Sequence, residues 1–103
     1  MLTEKIKESL KKSWGDNAEA LNCFCEVKIQ ERNGKWDCYV YAMNPRDEDE
    51  VMCIMKHKGW VGISQWFLSG LMFEYNTQGE FPRFDPEFRR IRADVLYKKL
   101  GGT

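Results

Sequence analysis

The sequence carries no net charge, its 16 Lys and Arg balanced by 16 Asp and Glu over 103 residues. No global field therefore draws the chain to DNA, RNA or an anionic membrane, and a charged partner has to be met by a local patch. No apolar run approaches the roughly 20 residues that span a bilayer, and the opening MLTEKIKESL lacks the apolar stretch of a secretory signal. A cytoplasmic protein with no membrane partner is expected. Histidine occurs once, at His57, which leaves little for acid–base chemistry. Gly59, Gly62 and Gly70 are too scattered to form a phosphate-binding loop or a dinucleotide fingerprint. The chain also lacks an internal repeat, a linker or a low-complexity tract, so residues 1–103 are expected to form one domain.

What is present is aromatic. Phe, Trp and Tyr make up 14% of the chain and apolar residues 43%, enough to build a core in which large rings supply much of the buried area. Leu2, Ile6, Leu10 and Trp14 recur every four residues among charged ones, which predicts an amphipathic helix from about Thr3 to Ser13. Thr3 is its expected N-cap and Gly15 the αL residue beyond its end. The stretch from Asp16 to Asn22 reads either as loop or as one further turn.

CFCEVKIQERNGKWDCYVYAM gives the strongest local signal, two alternating runs around Asn33-Gly34, the preferred pair for a two-residue type I′ turn. Counting outward from Arg32 opposite Lys35 sets Ile29 against Cys38, Val27 against Val40 and Cys25 against Ala42, one wholly apolar face. The other face pairs Gln30 with Asp37, Lys28 with Tyr39 and Glu26 with Tyr41, a mixed surface to be solvated or covered. Asn44-Pro45-Arg46 and the acids Asp47, Glu48, Asp49 and Glu50 then read as an exposed loop. VMCIMKH follows as a central strand broken by Lys58-Gly59, and Trp60 to Ile63 as a short fourth strand. Phe67, Leu68, Leu71 and Met72 predict a buried helix opening at Ser64. Pro82 restricts the next segment to an edge strand, and Asp85-Pro86-Glu87 should open a last helix carrying Phe88, Ile91, Val95 and Leu100 inward, ended by Gly-Gly-Thr. The fold class is α+β: a small antiparallel sheet of three to five strands built on the Asn-Gly hairpin, with an N-terminal helix and one or two C-terminal helices.

Cys23, Cys25, Cys38, Cys53 and His57 are the residues that most resemble metal ligands. Their spacing argues against it: Cys23-x-Cys25 is not the gap of a zinc knuckle, and Cys25 and Cys38 fall roughly 13 Å apart along the ladder, as do Cys53 and His57 on an extended strand. That offset also excludes a Cys25–Cys38 disulfide. Structural, reduced thiols are expected, with no metal, no cofactor and no catalytic residue, hence no enzyme. The four consecutive acids lack the alternate spacing of a calcium loop.

Two surfaces remain. The apolar density of GWVGISQWFLSGLMFEY, with Trp60 and Trp66 and the nearby acids Asp47, Glu48, Asp49 and Glu50, makes a candidate protein-binding or homodimer surface. Arg83, Arg89, Arg90 and Arg92, interleaved with aromatics, are the alternative, a nucleic-acid site built on stacking and phosphate contacts, with acids close by that offset most of the charge.

The Met1-Leu2-Thr3 opening before a short helix, the strand Trp36-Asp37-Cys38-Tyr39-Val40, the turn Asp47-Glu48-Asp49 before an apolar strand, Phe67-Leu68-Ser69-Gly70-Leu71, and the stretch from Gly79 to Phe88 together span most of the chain. In these features the sequence resembles a family of small uncharacterised bacterial proteins carried by plasmids and integrative elements. The resemblance implies an accessory protein of a mobile genetic element, with no known reaction and no functional residues to carry over. The expected function is a small non-enzymatic binding protein, an accessory or anti-defence factor that blocks a host protein by occluding its surface.

Overall fold

The computed structural model describes residues 2–102; Met1 and Thr103, part of the opening and closing motifs read above, lie outside them. Thr3 caps α1 (Glu4–Lys12), its hydroxyl accepting a hydrogen bond from the Ile6 amide, as the capping pattern predicts. Gly15 has a positive φ of 100° but an extended ψ, so it is not αL; it leads into a single turn, α2 (Asp16–Glu19). Next come β1 (Phe24–Cys25), β2 (Val27–Gln30), β3 (Trp36–Asn44), β4 (Asp47–His57) and β5 (Trp60–Phe67). The chain ends with α3 (Leu68–Met72), β6 (Arg83–Phe84), β7 (Ile91–Arg92) and α4 (Ala93–Lys99).

Strands β2 to β5 form an antiparallel meander, and β6 adds to β2, giving the order β5-β4-β3-β2-β6. Strands β1 and β7 pair separately. The hairpin register is the one the sequence dictates: Val27 faces Val40, Lys28 faces Tyr39, Ile29 faces Cys38 and Gln30 faces Asp37. The turn differs. Only Gly34 has positive φ there; its amide donates to the Glu31 carbonyl, and Glu31 bonds Trp36 across a four-residue connection. The Glu31 carboxylate accepts the amides of Asn33 and Lys35, and these bonds hold Asn33 out of the left-handed region that type I′ requires. The type I′ pattern of two positive φ values occurs instead at Lys58 and Gly59, between β4 and β5.

Cys25 does not share the Val27 face. The ladder to β3 stops at Glu26, β1 turns away to pair with β7, and a bulge at Tyr41 offsets β3 against β4, so Cys25 and Ala42 pack on the opposite side. Both faces of the sheet are therefore buried at its centre. On one, Val27, Ile29, Cys38, Val40 and Cys53 meet Leu10 of α1 and Leu71 of α3. On the other, Cys25, Tyr39, Tyr41 and Ile54 meet Ala18, Leu21, Ala93 and Leu96, so the mixed face is covered at its centre by α2 and α4.

Three further expectations are corrected. The acids from Asp47 to Glu50 are the first residues of β4, not a loop, because each has a partner waiting. The segment from Ser64 to Phe67 continues β5 rather than opening a helix, since its residues complete the ladder against Glu50 to Cys53; α3 is five residues long. Asp85 accepts the Glu87 amide in a single turn, after which the chain is extended so that Ile91 can pair with Cys25; the last helix starts at Ala93 and leaves Val95 exposed.

Candidate functional site: a tryptophan-lined cleft

Directly opposed residues in an antiparallel ladder share a face. The two pairings Trp36↔His57 and His57↔Trp60 thus set three side chains in one row across β3, β4 and β5. The next row on that face holds Met55 opposite Gly62, the following one Cys53 opposite Ser64, and beyond it Trp66 stands opposite Val51. The result is a cleft of about 430 Å³ whose walls are Trp36, Trp60 and Trp66 and whose floor includes Met55 and Ser64. Leu71 of α3 closes one side, and His57 and Glu74 are the ionisable groups at its margin.

Gly62 is needed here. A Cβ at that position would lie 2.3 Å from the Trp60 ring, so the missing side chain is what lets the indole lie flat over β5. Trp60 is still 52% exposed and Trp66 39%, and exposed aromatic area continues outside the cleft with Phe67, Phe73, Tyr75 and Phe81. Phe81 packs edge-on against Phe73 and Tyr75, at ring separations of 6.3 and 5.8 Å. This outer loop is held to the hairpin tip: Arg32 donates to the Phe81 carbonyl, Asn33 to Gln78, and Asn76 to the Glu31 carboxylate.

The acids named as binding candidates are engaged within the fold. Glu48 receives Lys7 and Lys11, fastening α1 to the start of β4. Those two ammonium groups hold the Glu48 carboxyl below the usual carboxylate range. Asp49 accepts both the backbone amide and the hydroxyl of Ser69, satisfying donors at the start of α3 that its own N-cap, Phe67, leaves open. Glu50 bridges Asn44 and Gln65, and Asp47 accepts the Asp49 amide. Trp60 and Trp66 are thus in the cleft and the four acids are beside it as scaffold. Trp36 is not one of the site residues that the sequence suggests; its signal is its place immediately after the hairpin turn, in register with the His57 end of β4.

Of the four arginines, Arg90 and Arg92 meet over the Phe24 ring, and each is paired with a carboxylate. Arg90 makes two hydrogen bonds of 3.0 Å to Glu26 and stacks on Phe24 at 4.0 Å. Arg92 pairs with Asp94 and donates to Asn22. Arg83 is exposed on β6 and Arg89 on the following loop.

All four cysteines are free and buried. Cys38 lies beside Cys53, and that thiol contact together with burial pushes Cys38 up. Burial does the same for Cys23 and Cys25, so these three are held as thiols, the poorly nucleophilic form. His57 is exposed, four residues along β4 from the buried Cys53, a separation of roughly 13 Å. Among the described residues, no group of three or more His, Cys, Asp or Glu is placed to hold a metal ion, and no helix is long and apolar enough to cross a membrane.

Compared with known proteins, the chain matches no family model, no curated protein and no solved structure.

Proposed function

We propose that this protein is a non-enzymatic binding module that holds an apolar or aromatic segment of another protein in the cleft between Trp36, Trp60 and Trp66. The observation that supports it is the gathering of three of the four tryptophans around one concave surface with two of them substantially exposed. Aromatic side chains at such a surface give large contact area at low entropic cost, and they dominate the energetics of protein interfaces. Glu74 and His57, which also line the cleft, would supply polar contacts that orient a bound segment. In the setting that the family resemblance implies, an accessory protein of a mobile element, such a surface works by occupying and hiding a site on a host protein in the cytoplasm.

Selection from a displayed random-peptide library on the immobilised protein tests this reading, with a Trp60→Ala, Trp66→Ala double variant as counter-screen. Peptides with aromatic or leucine anchors should be enriched on the parent protein and lost on the variant, whose fold is checked by circular dichroism. Enrichment that is equal on both, or none at all, rejects the cleft as the binding site.

A further inference from the structure

An aromatic ring attracts a cation to its face, and this chain combines that attraction with a carboxylate each time it uses it. Arg90 lies 4.0 Å from the centre of the Phe24 ring and donates two hydrogen bonds of 3.0 Å to Glu26. Arg92 lies 5.9 Å from the same ring and pairs with Asp94 at 3.0 Å. Lys28 stands 5.4 Å over Tyr39 and 3.8 Å from Asp85. The ring holds the charge and the carboxylate accepts the donors.

The cleft brings the same two components together. Trp36, Trp60 and Trp66 line it, and so does Glu74. The Trp60 indole lies over the backbone of Gly62, which leaves its outer face open. Among the described residues, no Lys or Arg lines the cleft, none lies over the three indoles, and none pairs with Glu74. Lys56, between Met55 and His57 on β4, falls by alternation on the opposite face of the sheet. A smaller recess that shares Trp36, His57 and Glu74 with the cleft adds one cation, Lys35, together with a second carboxylate, Glu31. His57 aside, the fixed charge around the cleft is therefore negative, as are the faces of its rings.

We infer that the segment held in this cleft presents an arginine, whose guanidinium stacks on the tryptophan faces while Glu74 accepts its N–H groups. The inference rests on the reading of the cleft as a site for a partner segment and names the residue by which that segment is gripped. Charge complementarity selects it. An acidic or phosphorylated residue would meet ring faces and a carboxylate of its own sign. A wholly apolar segment would strip water from Glu74 and return no hydrogen bond. Lysine brings a compact, strongly hydrated ammonium, whereas the guanidinium is planar and weakly hydrated, with a fork of donors that fits both a flat ring and a carboxylate.

The peptides recovered in the library selection supply the test. They should carry an arginine beside their apolar anchors. One such peptide is then made in three forms, with arginine, with lysine, and with citrulline, which keeps the planar shape and loses the charge. Titration calorimetry on the full chain should show the citrulline form binding at least about fivefold more weakly than the arginine form, with lysine between them. Glu74→Gln should weaken the arginine peptide by about threefold or more and leave the citrulline peptide nearly unchanged, with thermal melts confirming that the variant is folded. Peptides that bind the cleft without a preference for arginine overturn the inference and leave the binding module standing. So does citrulline that binds as well as arginine, or a Glu74→Gln variant that weakens both peptides alike. A parent protein that retains no peptide removes the binding module itself, and the arginine with it.

Discussion

At the residue scale, two side chains carry more than their type suggests. Gly62 is open because Trp60 fills its space, and Trp60 is an exposed ring free to swing outward. Gly62→Ala should therefore displace the indole and abolish peptide retention in the cleft while leaving the melting temperature nearly unchanged, a split that binding assays and melts on one preparation would read. Glu31 is almost wholly buried, and its carboxylate accepts the Lys35 amide, the Asn76 side chain and the Asn33 amide. Those donors, Lys35 first, hold its carboxyl below the usual range. A carboxyl whose folded pKa lies below its unfolded value contributes stability that is full above the unfolded value, about 4.3, and that disappears as pH falls through the folded one. Glu31→Gln should flatten this acid limb, so that between about pH 5 and pH 3 the parent loses more stability than the variant. A parent and variant with the same acid dependence would show that the carboxylate is not the group responsible.

At the scale of elements, the hairpin turn separates backbone need from sequence habit. Only Gly34 requires a positive φ. Gly34→Ala should cost about 1 kcal/mol or more in denaturant unfolding, and Asn33→Ala, which loses an exposed hydrogen bond to Gln78, clearly less. Equal costs would restore the type I′ reading. The strand register was legible because alternation and a fixed connection length both point to it. The turn type was not, because Glu31 competes for the local amides through its side chain, a contact that composition does not announce. The same limit applies to the acidic run: four carboxylates read as solvent-exposed until Lys7, Lys11, Ser69 and Gln65, up to 41 positions distant, arrive to bind them. Ser64 to Phe67 fits a helical period as well as a strand, and only the completed β4 ladder decides between them. Of the cleft, Trp60 and Trp66 were legible as exposed apolar mass, whereas Trp36 joins them through two successive hairpin registers that local sequence cannot both supply.

At the scale of the whole molecule, the four thiols sample both cores: Cys38 and Cys53 lie between the sheet and α1, Cys23 and Cys25 between the sheet and α4. If the two layers open together, all four should react with a thiol reagent at one common rate that tracks global unfolding, as mass spectrometry of alkylated protein would show. Early labelling of Cys23 and Cys25 alone would mean that the α4 layer opens by itself. The order in which the chain is laid down bears on this. Strands β2 to β5 are joined by short hairpins, so the meander needs no contact with later sequence, and α1, which covers one of its faces, precedes it. The partners of Phe24 and Cys25, by contrast, are Arg92 and Ile91, and Ala93 and Leu96 seal the core around Tyr41 and Ile54. On the ribosome the sheet is thus half-dressed for the time taken to synthesise the stretch from Leu68 to Leu96, its second apolar face covered by Ala18 and Leu21 alone, and a nascent-chain chaperone has its natural target there rather than on the hairpins.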